Sequence, residues 1–263
     1  CGILINMLLE LLSLFTAGFF GGILNSIAGG GSFITFPALL FFGVPPISAN
    51  ATNTFASCAG YLSGAYAFRK DLYAHKRELP LIILMSLTGV IAGAWLLLQT
   101  PESTFRGIIP WLLLFATLLF IFGGKLNSAL KQVAAHHQHA SIIGRSLLTL
   151  LLLGICIYGG FFNAGLGIIV LSYLALAGHT NINTMNGLKL LVSSTISLIA
   201  IVLFIYNGVI AWQEGISVLL GTLVGGYVAA HVSRKLSQKH IRSFIIAVSS
   251  GITCYFFIDM YFT

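Results

Sequence analysis

An apolar stretch broken by glycines and prolines dominates the first part of this chain. Residues 21–53 read GGILNSIAGGGSFITFPALLFFGVPPISANATN, with three consecutive glycines, three prolines and several uncharged polar side chains. Irregular backbone at membrane depth survives only where it packs within protein or lines a water-filled cavity, because hydrocarbon leaves amides unpaired. We therefore predict that this stretch lies inside a membrane protein and forms half of a binding site.

The composition supports a membrane location for the whole chain. Of its 263 residues, 57% are hydrophobic and 7% are charged, whereas about 25% are charged in a soluble domain. Long apolar runs predict a helical bundle rather than a membrane barrel. About 20 residues are needed to cross a bilayer, so all but the second and seventh segments are long enough or nearly so. The predicted segments are 3–28, 33–42, 47–68, 79–98, 105–123, 146–163, 166–177, 183–206, 212–233 and 241–262.

The basic residues predict the orientation of these segments. The net charge is +7, but eleven of the thirteen Lys and Arg residues lie in three short loops between apolar segments, which is a topology signal rather than a nucleic-acid footprint. We predict that the three loops are cytoplasmic and that the protein is a multi-pass membrane protein. No basic residue precedes the first apolar segment, so no cleavable signal peptide is predicted. The loop residues are Arg69, Lys70, Lys76, Arg77, Lys125, Lys131, Arg145, Arg234, Lys235, Lys239 and Arg242.

An internal repeat appears when the glycines are aligned. GGILNSIAG, from position 21, matches GGFFNAGLG, from position 159, and NATN, from position 50, falls opposite NGLK, from position 186. The two short segments then occupy matching places, so the sequence indicates a duplication. The aligned pairs are Asn25 with Asn163, Gly29 with Gly167, Asn50 with Asn186, and Gly89 with Gly225.

The repeats are predicted to be inverted. The basic loop 69–77 corresponds to 207–214, which has no Lys or Arg, so equivalent loops face opposite sides of the membrane. Counting eight full crossings would instead make the repeats parallel, against this charge pattern. The predicted fold is an all-α polytopic membrane protein with two inverted repeats, each with long transmembrane helices and one short Gly-broken membrane segment. The repeats are 1–123 and 146–263, and 124–145 is a cytoplasmic linker.

The broken segments are the predicted site. Short, Gly-interrupted segments in matching places of inverted repeats indicate a transporter site near the midplane. A helix that restarts after Gly31, with Ser32 at its N-cap, presents free amides and a positive dipole end, which suit an anion. Close packing of helices is the alternative explanation for the glycines.

Lys189 is the most informative single residue. It lies inside a predicted segment, where an ionisable side chain is a functional hypothesis by default. Snorkelling toward the cytoplasmic interface is the alternative. Asn186 and Lys189, like Asn50 and Asn53, are three residues apart and share a helix face. Each pair can point at one ligand, although capping and interhelical hydrogen bonds would also explain the asparagines.

Other polar residues are weaker candidates. Glu10 is a candidate proton carrier, or else it lies near the outer interface. His136, His137 and His139 form a candidate metal site, but solvated histidines in a cytoplasmic loop are the more ordinary explanation. No nucleophile motif or paired carboxylates occur in a predicted segment, so no catalytic residues, metal ligands or cofactors are predicted.

Several motifs together carry a family resemblance. NSIAGGGSFITFPALL, GVPPISANATNT, TPESTFRGIIPWLLLFATLLFIFG, GGFFNAGLGI, NGLKLL and LLGTLVGGYVAA occur in that order over nearly the whole chain. This set resembles the sulfite exporter TauE/SafE family, also called the toluenesulfonate uptake permease family. Some members have an acidic residue where Asn25 stands, so a proton- or cation-coupling role for that position is in doubt here.

The resemblance implies a multi-pass protein of the bacterial inner (plasma) membrane, an alternating-access secondary carrier of small sulfur-containing or organic anions such as sulfite, sulfonates or sulfoacetate. A proton or sodium as coupling ion is left open, and a homodimer suits the Gly-rich surfaces as well as a monomer. The alternatives are a passive anion channel and a non-transporting protein, such as a metal-sensing accessory protein. The implied substrate-binding residues are Asn25, Ser26, Gly29, Gly30, Gly31, Ser32, Asn50, Thr52, Asn53, Asn163, Gly165, Gly167, Asn186 and Lys189.

Overall fold

The computed structural model describes residues 2–69, 72, 79–136, 142–232 and 238–262, and the regular structure in these ranges is helical. Ten helices lie within them. They are α1 (Gly2–Ala28), α2 (Ser32–Phe41), α3 (Pro46–Ala67), α4 (Leu79–Gln99), α5 (Glu102–His136), α6 (Ile142–Phe161), α7 (Leu166–Leu176), α8 (Ile182–Tyr206), α9 (Trp212–Val232) and α10 (Gln238–Tyr261). All ten predicted segments are present, which confirms the polytopic helical class.

Five of the described helices are long and apolar enough to cross a membrane by themselves, fewer than the eight segments that length alone favoured. The five are α1, α4, α5, α8 and α10. Helix α3 is long enough, but it carries polar side chains that include Asn50 and Asn53, each 1% exposed. A helix that faces protein rather than lipid does not need an apolar surface, which explains its composition.

The predicted linker 124–145 is largely helical where the structure describes it. Helix α5 continues through 124–136 and ends at His136, and α6 begins at Ile142. His137 and His139 lie outside the described residues, so the candidate metal cluster does too. The division into repeats at 123 and 146 stays a prediction.

Helix packing is closely similar in the two halves. Helices α3 and α8 pack on each other at the centre, α1 packs on α9, and α4 packs on α6. If each of α1–α5 is exchanged with its counterpart among α6–α10, the contact of α1 with α9 corresponds to a contact of α6 with α4. The contact of α3 with α9 likewise corresponds to one of α8 with α4. Both of these contacts are present. The contacts of α1 with α10 and of α3 with α5 depart from this pattern.

Close contacts give the relative directions of the packed helices. Gly64 lies against Leu190, and Gly187 lies against Phe68, so α3 and α8 run antiparallel. Helices α5 and α10 are also antiparallel, because α5 residues near its start contact α10 residues near its end, as in the 3.4 Å ion pair of Arg106 with Asp259. Equivalent helices of the two halves therefore point in opposite directions in both pairs.

Glycines bring the backbones of α1 and α9 together, and those of α4 and α6. A Cβ on Gly221 would meet the backbone of residues 15–19, and a Cβ on Gly89 would meet the backbone of residues 153–157. These backbone segments are equivalent in the two halves. The contacts therefore pair Gly89 with Gly221, one turn away from the sequence alignment, which had paired it with Gly225.

The outer surface of the bundle is apolar. Large hydrophobic side chains are exposed on nearly every long helix, including Leu12, Trp95, Leu150, Val202 and Tyr255. An apolar exterior of this extent is typical of a surface that faces lipid. Most of the polar residues discussed below are buried in the interior of the bundle.

Candidate functional site

Two left-handed glycines mark the breaks between helices. Gly29 (φ 79°) ends α1, and Gly165 (φ 78°) precedes α7. Residues with a side chain rarely adopt this left-handed backbone conformation, so glycine suits both positions. The structure therefore makes Gly165, rather than Gly167, the counterpart of Gly29, a shift of two residues from the sequence alignment.

The first break is closed by a hydrogen-bond network. The Asn53 amide donates from Nδ2 to the Ser32 hydroxyl (3.2 Å), and the Thr35 hydroxyl donates to Asn53 Oδ1. Tyr61, two turns further along α3 from Asn53, is also buried. Ser32 is the first residue of α2, and the N-cap position of this helix is Gly31, so the prediction that Ser32 is the N-cap was wrong.

The other residues at the first break are more varied in position. Asn25 is half-buried in the last turn of α1, whereas the Ser26 side chain is exposed. A Cβ on Gly30 would lie 3.0 Å from side-chain atoms of Phe120 and Ile245, and a Cβ on Gly31 would collide with the Gly21 carbonyl group. Gly30 and Gly31 therefore have a packing role.

Asn50 and Thr52 point in different directions. Asn50 Nδ2 donates to the Phe161 carbonyl oxygen at the end of α6 (2.9 Å), while Asn50 Oδ1 has no hydrogen-bond partner in the described part of the chain. Thr52 Oγ1 accepts from the backbone N–H of Ala211, in the connection between α8 and α9 (3.0 Å). Thr52 thus has a structural contact away from both breaks.

The second break leaves polar atoms open. Helix α6 ends at Phe161, and Asn163 follows in irregular backbone with 1% of its surface exposed. Asn163 Nδ2 donates to the Ser197 hydroxyl on α8 (3.2 Å), whereas Asn163 Oδ1 has no partner among the described residues. Gly165 and Gly167 are also buried at this break.

A polar face of α8 runs beside the second break. Its members, Lys189, Ser193 and Ser197, are spaced four residues apart, so they share one side of the helix. They are 9%, 1% and 0% exposed. Ser197 contacts Asn163, and the Lys189 stem lies 3.4 Å from the place of a Cβ on Gly167. This polar face therefore spans the break from one end to the other.

Lys189 is a buried cation without an anionic neighbour in the described ranges. Its ammonium group donates to Asn186 Oδ1 (3.4 Å), and the one ion pair found there joins Arg106 and Asp259. An ammonium group has three donors, so this single long hydrogen bond leaves capacity for another acceptor. The backbone N–H of Gly167, beside Lys189, donates no hydrogen bond to a carbonyl group of the preceding turn.

The predicted residues form two clusters rather than one. Because α3 and α8 are antiparallel, Ser197 lies level with about residue 57 of α3, so both breaks lie near the middle of this helix pair. Lys189 lies level with about residue 65, roughly 18 Å along the axis from Asn53. The asparagines of α3 and Lys189 therefore cannot bind the same small ligand in this conformation.

Sequence reasoning missed several buried polar residues. Ser193 and Ser197 follow Lys189 at helical spacing, and that spacing was the available signal. Thr35 and Tyr61 carry no comparable signal, because single hydroxyl groups are common in membrane helices. Glu10, a weaker candidate, is half-buried on α1 among exposed neighbours. No group of three or more His, Cys, Asp or Glu residues occurs in the part of the chain that the structure describes.

A cavity of about 1020 Å³ lies away from both breaks, between α1, α2, α5 and α10. Its lining is mostly apolar and includes Ser13, Pro37 and Phe41, with Arg106 and Asp259 among its few charged residues. None of the fourteen predicted site residues lines it. We therefore place the candidate site at the breaks, where the buried polar atoms are.

The sequence model of the family described as "Sulfite exporter TauE/SafE" matches residues 14–256. The chain belongs to this family. This membership, with the long apolar helices, identifies it as a multi-pass membrane protein and supports a transport function.

Curated relatives of the TauE/SafE chain are named as transporters. A "Probable membrane transporter protein" of Haemophilus influenzae is 30% identical over 241 residues, which is 91% of each chain. The "Probable membrane transporter protein YfcA" of Escherichia coli K12 is 29% identical over 90% of this chain and 86% of its own. The "Probable membrane transporter protein ORF9" of a Sinorhizobium species is 30% identical, over 91% and 89%. No solved structure gives a significant match.

Proposed function

We propose that this protein is a secondary transporter of small anions, sulfur-containing or organic, that works by alternating access in the bacterial inner membrane. Its family and the names of its relatives support transport. The name of the family directs the substrate proposal toward sulfite-like anions. A homodimer and a coupling ion stay predictions.

The observation that carries the proposal is the environment of Lys189. A buried ammonium group in a membrane span is expensive without a negative partner, and no carboxylate fills that role among the described residues. A bound anion would supply the negative partner that the Lys189 ammonium group lacks. A role in binding an anion would therefore explain why a lysine is buried here despite the energetic cost.

The start of α7 adds to the attraction. The amino end of a helix carries a partial positive charge, and Gly167 lies at this end beside the Lys189 stem. Because glycine has no side chain, a ligand could approach the Gly167 N–H closely. The Lys189 ammonium group and the Gly167 N–H together offer one full charge and one backbone hydrogen-bond donor to an oxyanion.

The helix directions support inverted repeats and hence alternating access. Equivalent helices are antiparallel in α3 with α8 and in α5 with α10, as expected for repeats related by an axis in the membrane plane. The second break begins near the middle of the central pair, where such carriers bind their substrates, and Lys189 lies about 12 Å away along α8.

The test is uptake by purified protein in liposomes. Sulfite, sulfate, thiosulfate, sulfoacetate, taurine and simple carboxylates are tested with wild type and Lys189→Gln. We expect saturable uptake of at least one anion, with affinity reduced about tenfold or more by the substitution, since a hydrogen bond to a charged group is lost.

Arg106→Gln is the matched control. It removes the other basic charge that the sequence places outside the loops, but Arg106 is exposed and lines the cavity that lies away from both breaks. Its uptake should equal that of wild type. Normal affinity in Lys189→Gln would refute the role of Lys189, and absence of counterflow for a transported anion would indicate a channel instead of a carrier.

A further inference from the structure

Two buried oxygen atoms at the second break lack hydrogen-bond partners in the described structure. They are Oδ1 of Asn163 and Oγ of Ser193, and both side chains are 1% exposed. A carboxamide oxygen is an acceptor only, so an anion cannot satisfy it. Its missing partner must be a donor or a cation.

The end of α6 provides more acceptors at the same place. The last four carbonyl groups of a helix lack partners within it. The Tyr158 carbonyl accepts from the Phe162 N–H, and the Phe161 carbonyl accepts from Asn50. The carbonyl groups of Gly159 and Gly160 accept no backbone hydrogen bond from the described residues that follow. The partial negative charge at a helix end also favours a cation.

We infer that the second break binds a sodium ion. Its ligands are Asn163 Oδ1, the hydroxyl oxygens of Ser193 and Ser197, and carbonyl oxygens from the last turn of α6. Neutral oxygens from helix ends and unwound backbone are the ligands that carriers use for sodium. As a coupling ion this sodium deepens the proposed function and rests on it; its binding can be measured independently.

The sodium and anion sites lie on opposite sides of one break. Sodium occupies the negative end of α6, and the anion occupies the positive end of α7 beside Lys189. Lys189 and Ser197 are eight residues apart, about 12 Å along α8. Ions of opposite charge at this separation favour each other, so each raises the affinity of the other by the same factor.

The first break lacks this site. Asn25 lies within the helical turn of α1, and both ends of the Asn53 amide have side-chain partners. The acceptor of the Asn53 amide is therefore satisfied by the protein. The unpartnered Asn50 Oδ1 belongs to a side chain that contacts the Phe161 carbonyl group at the end of α6, so it does not form a separate site at the first break, and one sodium ion per chain is expected.

The experiment measures sodium binding by the purified full-length protein in detergent, without any transported anion. Radioactive sodium reports affinity directly, and melting in sodium, potassium or choline chloride at equal ionic strength reports selectivity. We expect stabilisation by sodium alone. Asn163→Ala and Ser193→Ala should weaken sodium binding about tenfold or more, as each removes a ligand of a charged group. Ser194→Ala is the control, because its hydroxyl donates to the Leu191 carbonyl (2.9 Å) and should leave binding unchanged.

Asn163→Asp keeps the test decisive if the alanine variants fold poorly. It retains the side-chain shape and adds a negative charge, so it should bind sodium more tightly than wild type. Weaker binding in this variant, unchanged binding in Asn163→Ala, or equal stabilisation by all three salts would overturn the sodium site. Anion uptake that is the same in sodium and potassium would overturn its coupling role, while the Lys189 substitution tests the carrier proposal separately.

Discussion

The two breaks occupy equivalent places but treat their polar groups differently. In the first half, Asn53 bonds to Ser32 and Thr35, and the network is complete. In the second half, Lys189 stands in the place of Asn53, and the places of Ser32 and Thr35 hold Ile168 and Leu171. One half is thus closed by its own side chains, whereas the other leaves a charge and hydrogen-bond acceptors without partners among the described residues.

Asn53→Lys should have the largest effect. It places a cation in the closed half, where the hydroxyl groups of Ser32 and Thr35 are arranged to accept from and donate to the Asn53 amide. A charge inside a membrane helix costs about 2.5–3.5 kcal/mol, so we expect a large fall in melting temperature in detergent. Arg106→Lys, an exposed substitution that keeps its charge, is the control. An unchanged melting temperature in Asn53→Lys would show that the first half is not closed.

Lys189→Asn makes the reverse exchange and should separate stability from function. It removes a buried charge, so the melting temperature should not fall. Anion affinity should drop about tenfold or more, equal to at least about 1.4 kcal/mol, because the cation is lost. Binding is measured by calorimetry with the anion identified in the uptake screen. A fall in melting temperature with normal affinity would assign Lys189 a structural role instead.

Alanine substitutions of Asn53 and Asn163 should show which of the two hydrogen-bond networks contributes more to the unfolding free energy. Asn53→Ala removes two hydrogen bonds among buried groups and should cost about 1–3 kcal/mol of unfolding free energy. Asn163→Ala removes one and should cost about 0.5–1.5 kcal/mol in sodium-free buffer. Denaturant titration of both proteins measures the difference. The opposite ranking would contradict the contrast between a closed and an open half.

The left-handed glycines offer the smallest and most closely matched comparison. Gly29→Ala meets no atom within 4 Å, so its cost is the backbone strain alone, about 1–2 kcal/mol. Gly165→Ala has the same strain and also approaches the Ala116 side chain at 2.9 Å. We expect a lower melting temperature for Gly165→Ala than for Gly29→Ala. Equal melting temperatures would show that the structure around Gly165 adjusts to an added methyl group without further cost.

The apolar lengths were enough to predict the helices, because crossing a membrane requires long apolar runs. The glycines likewise predicted where α1 and α6 end. The continuation of α5 through 124–136 was missed because polar, charged residues there were interpreted as a loop. The repeat alignment slipped by one turn because the glycines at 89 and 93 and those at 221 and 225 have the same spacing.

The site was predicted only in part because hydrogen-bond partners depend on tertiary contacts. Lys189 and Asn163 were recognised from their positions, but Ser193 and Ser197 were not. Thr52 was grouped with Asn50 and Asn53 by proximity in sequence, although its hydroxyl contacts Ala211. Residues two apart on a helix face different directions, so proximity alone grouped them wrongly.

The glycine-lined contacts of α1 with α9 and of α4 with α6 determine which parts of the molecule can travel together. Backbones that touch directly have few side chains that can change rotamer to let them separate. Each of these pairs joins a helix from one repeat to a helix from the other. The rigid bodies in any transport cycle should therefore combine helices from both halves of the chain, and helices that are neighbours in sequence need not move together.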